Sequence, residues 1–282
     1  MRGKKMGCRR RPTLVDCLVA TTCVAVLFMT VGAVGRQGRE RAKRAVCLSD
    51  LKQLTQAWCQ FADDHDGNLV SGAGGIYMTS NKPWVGKCWS SYYASGGLLP
   101  EGEQVAGIRV GALWPYLREL NLYRCPSGYP GERLNYSVVD GMNGSSRTGT
   151  TTVAQGRLVG LRVGDTVVWV QNLSEIVSPG PAERMVFIDE GWITPDSYNT
   201  HYRQETWWDD PPVRHNDGMT ASFADGHAEY WQWKGIDTIE WGRFSEQAHR
   251  TNNHVPETAE GFEDLHRLQR AIWGRLGYEP TQ

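Results

Sequence analysis

The sequence predicts an α+β fold: one long N-terminal helix packed on a β-rich head with long loops. Three observations predict it. An apolar run from Leu14 to Val34 continues, without a Gly/Pro/Ser linker, into helical apolar spacing that lasts to Asp63. Two short hairpin signals, Gly164-Asp165 and Asp225-Gly226, sit between strand-like runs. Thirty-two Gly in 282 residues, and twelve Trp against six Phe, describe a loop-rich body with an unusual core. A charged fraction of 22% and a hydrophobic fraction of 40% exclude bulk disorder and low-complexity architectures.

The elements follow in chain order. Residues 1–13 form a basic leader containing Arg2, Lys4, Lys5, Arg9, Arg10 and Arg11. Residues 14–34 are long enough to cross a bilayer as a helix and carry one charge, Asp16, near the start. Cations upstream place the N-terminus in the cytoplasm and the rest outside, and Arg36 to Arg44 downstream weaken that inference without reversing it. A cleaved signal peptide, cut after Val31-Gly32-Ala33, is the competing reading. Residues 35–66 form the outer half of the helix, with Ala42, Ala45, Val46, Leu51, Leu54, Trp58, Phe61 and Ala62 on an apolar face. Asp64-His65-Asp66-Gly67-Asn68 ends it.

Residues 67–256 make the head. A short helix is expected at 111–120, a hairpin joining 157–163 to 166–171, and a buried strand at 185–188. A second hairpin is expected to join 219–224 to 227–233 through the two-residue turn Asp225-Gly226. Residues 257–282 hold an amphipathic helix through Phe262, Leu265, Leu268, Ile272 and Leu276, then a tail.

Charge is asymmetric. Residues 1–44 hold eleven Lys or Arg against Asp16 and Glu40, and the remainder is acidic. That remainder lacks the basic face a nucleic-acid partner requires. No nucleophile elbow, HExxH helix, phosphate loop or dinucleotide fingerprint is present, so the sequence argues for a protein without catalytic function.

Three stretches together resemble a known family. They are Arg9-Arg10-Arg11-Pro12-Thr13-Leu14-Val15-Asp16, the segment from Ala42 through Cys47-Leu48-Ser49-Asp50-Leu51-Lys52-Gln53-Leu54, and His215 through Asp225-Gly226-His227, in which nine residues separate His215 from Asp225. Tyr123-Arg124-Cys125-Pro126-Ser127 adds a fourth. In this order they resemble the type IV pilin-like proteins, in particular the type II secretion pseudopilin-like group with a C-terminal H-x9-D-G motif. The resemblance implies a pilin-like fold and a structural subunit of a secretion or pilus assembly. It implies a single-pass place in a bacterial inner membrane, with the head periplasmic or extracellular. Its expected partners are copies of itself or other pilin-like subunits, and the inner-membrane assembly machinery.

The leader departs from the family pattern. Arg11 and Pro12 stand where the family has the Gly before the cleavage point and the Phe that becomes methylated, which argues against both reactions here. Asp16 replaces the family's Glu, which the resemblance assigns to pairing with a neighbouring subunit. A carboxylate in lipid is costly unless paired, and solvation near the headgroups is the competing account.

On this topology Cys47, Cys59, Cys88 and Cys125 lie outside, where disulfides persist, and four Cys allow three pairings. Cys47 with Cys125 is the first choice, stapling a loop to the helix, and Cys59 with Cys88 is the weaker remaining pair. Zinc is disfavoured because no C-x-x-C pair exists. His215, Asp225 and His227, with Asp189, Glu190, Asp209 and Asp210, could form a metal or acid–base cluster. The architectural reading is preferred: Gly226 supplies the turn, and His215 bonds backbone near it. No cofactor is therefore expected. Were a metal to bind, the oxygen ligands Asp189 and Asp225 would favour Ca²⁺, an option the resemblance also supplies. An alternative function is a membrane-anchored binding module whose Trp84, Trp89, Trp192, Trp207 and Trp208 stack a glycan or dock a protein, set against Trp filling the core.

Overall fold

A computed structural model of the chain describes residues 13–74, 82–89, 97–144, 160–190, 197–243 and 254–281. Within the first helix the side chains of residues 16–17, 24–34 and 36 are not described. The chain divides into two units, Met1–Ala42 and Lys43–Gln282.

Helix α1 spans Leu14–Asp63. In the first unit its opening turns expose Leu14, Val15, Leu18 and Val19. Among the described residues, no helix is long and apolar enough to cross a membrane. Most of the apolar run 14–34 lies outside the side chains that are described. In the second unit, Cys47, Leu51, Leu54, Trp58 and Ala62 recur every three or four residues and are fully buried. Thr55 lies on the same side, buried, and its hydroxyl donates to Ser222 Oγ at 2.6 Å, tying helix to sheet. The helix stops where Asp66 and Gly67 take positive φ, and Gly67 N–H closes on Ala62 O at 2.8 Å.

The remaining elements are α2 (Glu101–Val110), α3 (Trp114–Leu117), β1 (Tyr136–Val138), β2 (Arg162–Val163) and β3 (Thr166–Val167). There follow β4 (Met185–Asp189), β5 (Gly218–Phe223), β6 (Ala228–Gln232), α4 (Ile236–Gly242) and α5 (Ala259–Trp273). The main sheet is antiparallel, in the order β1-β4-β5-β6. The central strands β4 and β5 are buried at every position; of the two edges, β6 is half exposed and β1 is buried. The fold is thus α+β with antiparallel sheets. The head is less β-rich than expected: among the described residues the only other sheet is the two-stranded β2–β3 ribbon. Its Gly-, Pro- and Trp-rich stretches are loops joined by isolated bridges.

Helix α2 has no counterpart among the expected elements. Gly102 and Gly107 break its apolar pattern. Gly107 is required by packing, since a Cβ there would meet Lys87 O at 2.1 Å. The helix expected at 111–120 shortens to α3, because Arg118 adopts φ 52° and ends it. The β5–β6 connection is a four-residue loop, 224–227, rather than a two-residue turn. Of its residues Gly226 has positive φ, at 91°, and Asp225 does not, whereas a type I′ turn needs both. Helix α5 is capped at its start by Thr258, whose hydroxyl accepts from Gly261 N–H at 3.0 Å, and at its end by Gly274 in the left-handed region. Leu265, Leu268 and Ile272 join the same core as β4, so the C-terminal helix is part of the head.

Trp58, Trp84, Trp207 and Trp273 are among the largest fully buried side chains. Trp84 packs edge-on against Phe187, and Trp207 edge-on against Trp233. Trp fills the core that six Phe cannot. Trp84, Trp89 and Trp207 are therefore not a surface platform, while Trp192 lies outside the described residues.

Candidate functional site

The chemistry-bearing side chains converge at one buried point between α1, the sheet and the loop after α3. Cys47 arrives on the buried face of α1. Cys125 follows a 3₁₀ turn (Leu120–Tyr123), and its sulfur accepts from Ser127 N–H at 3.3 Å. Asp189 is the last residue of β4, and its Oδ1 accepts from Thr220 N–H on β5 at 2.8 Å.

His215 comes from the turn that precedes β5. Asn216 and Asp217 both have positive φ there, unusual for residues with a Cβ. The turn is held from β6: Tyr230 OH donates to His215 O at 2.9 Å, and Gln232 Nε2 donates to Asp217 O at 2.8 Å. The imidazole is thereby directed into the core.

There, Cys47 Sγ and Cys125 Sγ lie 2.8 Å apart, as free thiols. His215 Nε2 lies 3.1 Å from Cys47 Sγ, 3.3 Å from Cys125 Sγ and 3.3 Å from Asp189 Oδ2. The four residues are between 0% and 2% exposed. The hydrogen bond with Cys47, aided by His215, draws the Cys125 thiol down to about 5 against the opposing effect of burial. The same bond, with burial, pushes Cys47 well above the ordinary thiol value. Burial raises the Asp189 carboxyl to about 7, opposed by His215.

The first-choice cysteine pair is brought together, although it is not bonded. Cys59 and Cys88 are not: Cys59 faces Ala224 O at 3.9 Å, whereas Cys88 faces Gly86 O and Gln104 O beside α2. Asp189 and Asp225, the calcium pair, are also separate. Asp189 accepts from Thr220 N–H inside the sheet, whereas Asp225 lies beyond the end of β5 in the hairpin loop. The larger cluster divides accordingly. Asp225 and His227 pair with each other on the surface of the hairpin loop. Burial raises Asp225, but the hydrogen bonds from His227 outweigh it and hold the carboxyl below its ordinary range. Glu190 instead accepts from Ser137 Oγ, Asp209 Oδ2 from Asn199 N–H at 2.6 Å, and the backbone carbonyl of Asp210 from Tyr198 OH at 3.2 Å. The ring of His215 serves the cysteine cluster, not the Asp225-Gly226 turn. The nine-residue spacing of the motif measures the length of β5 between its two turns. Arg11 and Pro12 lie outside the described residues, as does the side chain of Asp16.

No family model matches the chain, and no similar protein emerges among curated proteins or solved structures.

Proposed function

We propose that the protein is a non-enzymatic, pilin-like subunit of a type II secretion or type IV pilus-like envelope assembly. Residues 14–34 anchor it in a bacterial inner membrane, with residues 1–13 cytoplasmic and the head outside. One observation carries this reading: α1 is a single fifty-residue helix whose C-terminal half is cemented into the head by Cys47, Leu51, Leu54 and Trp58. A helix so long, with Leu14, Val15, Leu18 and Val19 exposed at its start, leaves an apolar face for lipid and for other subunits. The run from Cys17 to Val34 holds no charged residue, which further supports the anchor. Assembly then proceeds through this stripe, which bundles with its counterparts, while the head sets the register.

A photoreactive amino acid at Leu18 tests the proposal in native membranes. The expected result is adducts with a second copy or with another pilin-like subunit. Adducts with lipid alone would overturn the assembly role.

A further inference from the structure

We propose that Cys47, Cys125, His215 and Asp189 form a closed site for one tetrahedral divalent cation of the zinc class. The argument begins with convergence. One imidazole nitrogen faces two sulfurs and a carboxylate oxygen at 3.1, 3.3 and 3.3 Å, and a single N–H cannot serve all three. The ligand atoms of Cys47, Cys125 and His215 all lie within 4.8 Å of one another. Four ionisable side chains at 0% to 2% exposure are costly to bury without a compensating charge. A cation at their centre lets two thiolates, a neutral imidazole and a carboxylate address the same charge.

The dimensions fit such an ion. With metal–sulfur bonds of about 2.3 Å and metal–nitrogen bonds of about 2.0 Å, neighbouring donors in a tetrahedron lie about 3.3–3.8 Å apart. The His215–sulfur and His215–Asp189 separations already approach this range. The two sulfurs must part by about 1 Å, and the Asp189 carboxylate, which touches His215 but lies outside the trio of donors within 4.8 Å of one another, must swing toward them. Two soft thiolates select zinc-like ions over the calcium that oxygen ligands would favour. The outer contacts are also in place: Thr220 N–H orients Asp189, and Ser127 N–H orients Cys125. Loading expels the two thiol protons and leaves the site with one net negative charge. No opening to solvent is needed, as in other structural zinc sites.

A disulfide between Cys47 and Cys125 is the rival. It would consume both sulfurs, require a two-electron oxidant, and leave His215 and Asp189 as a buried pair beside a neutral bond. The two states differ in composition, so one preparation separates them. The full-length chain, solubilised in detergent without reductant or chelator, is analysed for metal and by intact mass. The expected result is one zinc ion per chain, with both thiols alkylated once chelator and denaturant are added. Replacing zinc with Co²⁺ is expected to give a thiolate-to-metal charge-transfer band and tetrahedral d–d bands. Asp189→Asn is expected to keep the charge-transfer band while weakening Co²⁺ binding about 10- to 100-fold. Cys125→Ser is expected to lose that band, and circular dichroism checks that it folds. A metal-free chain two hydrogens lighter, with a Cys47–Cys125 linked peptide, would overturn the proposal. So would free thiols that take up neither Zn²⁺ nor Co²⁺ in a folded protein.

Discussion

Arg184→Met is expected to destabilise the head by about 3 kcal/mol or more. Arg184 stands immediately before β4 and is 0% exposed. Its guanidinium donates to Val167 O at 2.8 Å, Val168 O at 3.2 Å and Ile272 O at 3.2 Å. These carbonyls belong to the β3 region and to the last turn of α5, so one side chain ties two distant segments to the sheet. Its charge also opposes the negative end of that helix. Burial lowers Arg184 to about 10, which still leaves it charged at neutral pH. Methionine fills comparable volume but donates nothing, so three interior acceptors lose their partner. Lysine restores the charge without the planar fork and is expected to recover only part of the loss. For a body of this size the methionine variant should melt about 6–12 °C lower. An unchanged melting temperature would mean that these carbonyls find other donors.

Trp58→Ala is expected to cost about 3–5 kcal/mol, and it tests the attachment of α1. Trp58 is fully buried between Leu54 and Ala62 on the face that packs into the core. Truncation to alanine removes the largest side chain on that face and leaves a cavity that rigid neighbours cannot close. Its indole N–H has no hydrogen-bond partner among the described residues. Trp58→Phe therefore loses volume but no polar contact, and should cost much less than the alanine variant. Urea unfolding of the fragment starting at Lys43 reads both. Equal midpoints for wild type and Trp58→Ala would show that α1 is not part of the cooperative unit.

The parts of the fold visible in the sequence were those with a local physical signal. The buried stripe Leu51, Leu54, Trp58 appears as helical spacing, and so does α5 through Leu265, Leu268 and Ile272. Gly226 marks the β5–β6 turn because few residues tolerate its φ of 91°. Helix α2 was hidden because Gly107 answers to Lys87 across a packed contact, which no window of sequence contains. Its Pro100 and the acidic residues Glu101 and Glu103 at the start, with Arg109 in the last turn, were the available signal.

The site was harder to read for the same reason. Cys47 and Cys125 are 78 residues apart, and Cys125 and His215 are 90 apart. A search for paired cysteines at short spacing cannot find donors delivered by a helix, a loop, a strand end and a turn. His215 suggested the turn at Asp225 because the two share a motif, but an intervening strand holds them apart. The tryptophans lie in irregular segments, which left a surface platform open as the alternative to a Trp-filled core. Burial of Trp84 and Trp207 shows that irregular backbone can still line a core.

Alkaline carbonate extraction of bacterial membranes that express the untruncated chain tests the anchoring account most directly. The full chain should remain in the pelleted membranes, and the fragment starting at Lys43 should appear in the supernatant. Release of the full chain into the supernatant would contradict a helix held in lipid at its N-terminal end, and with it the assembly proposed here.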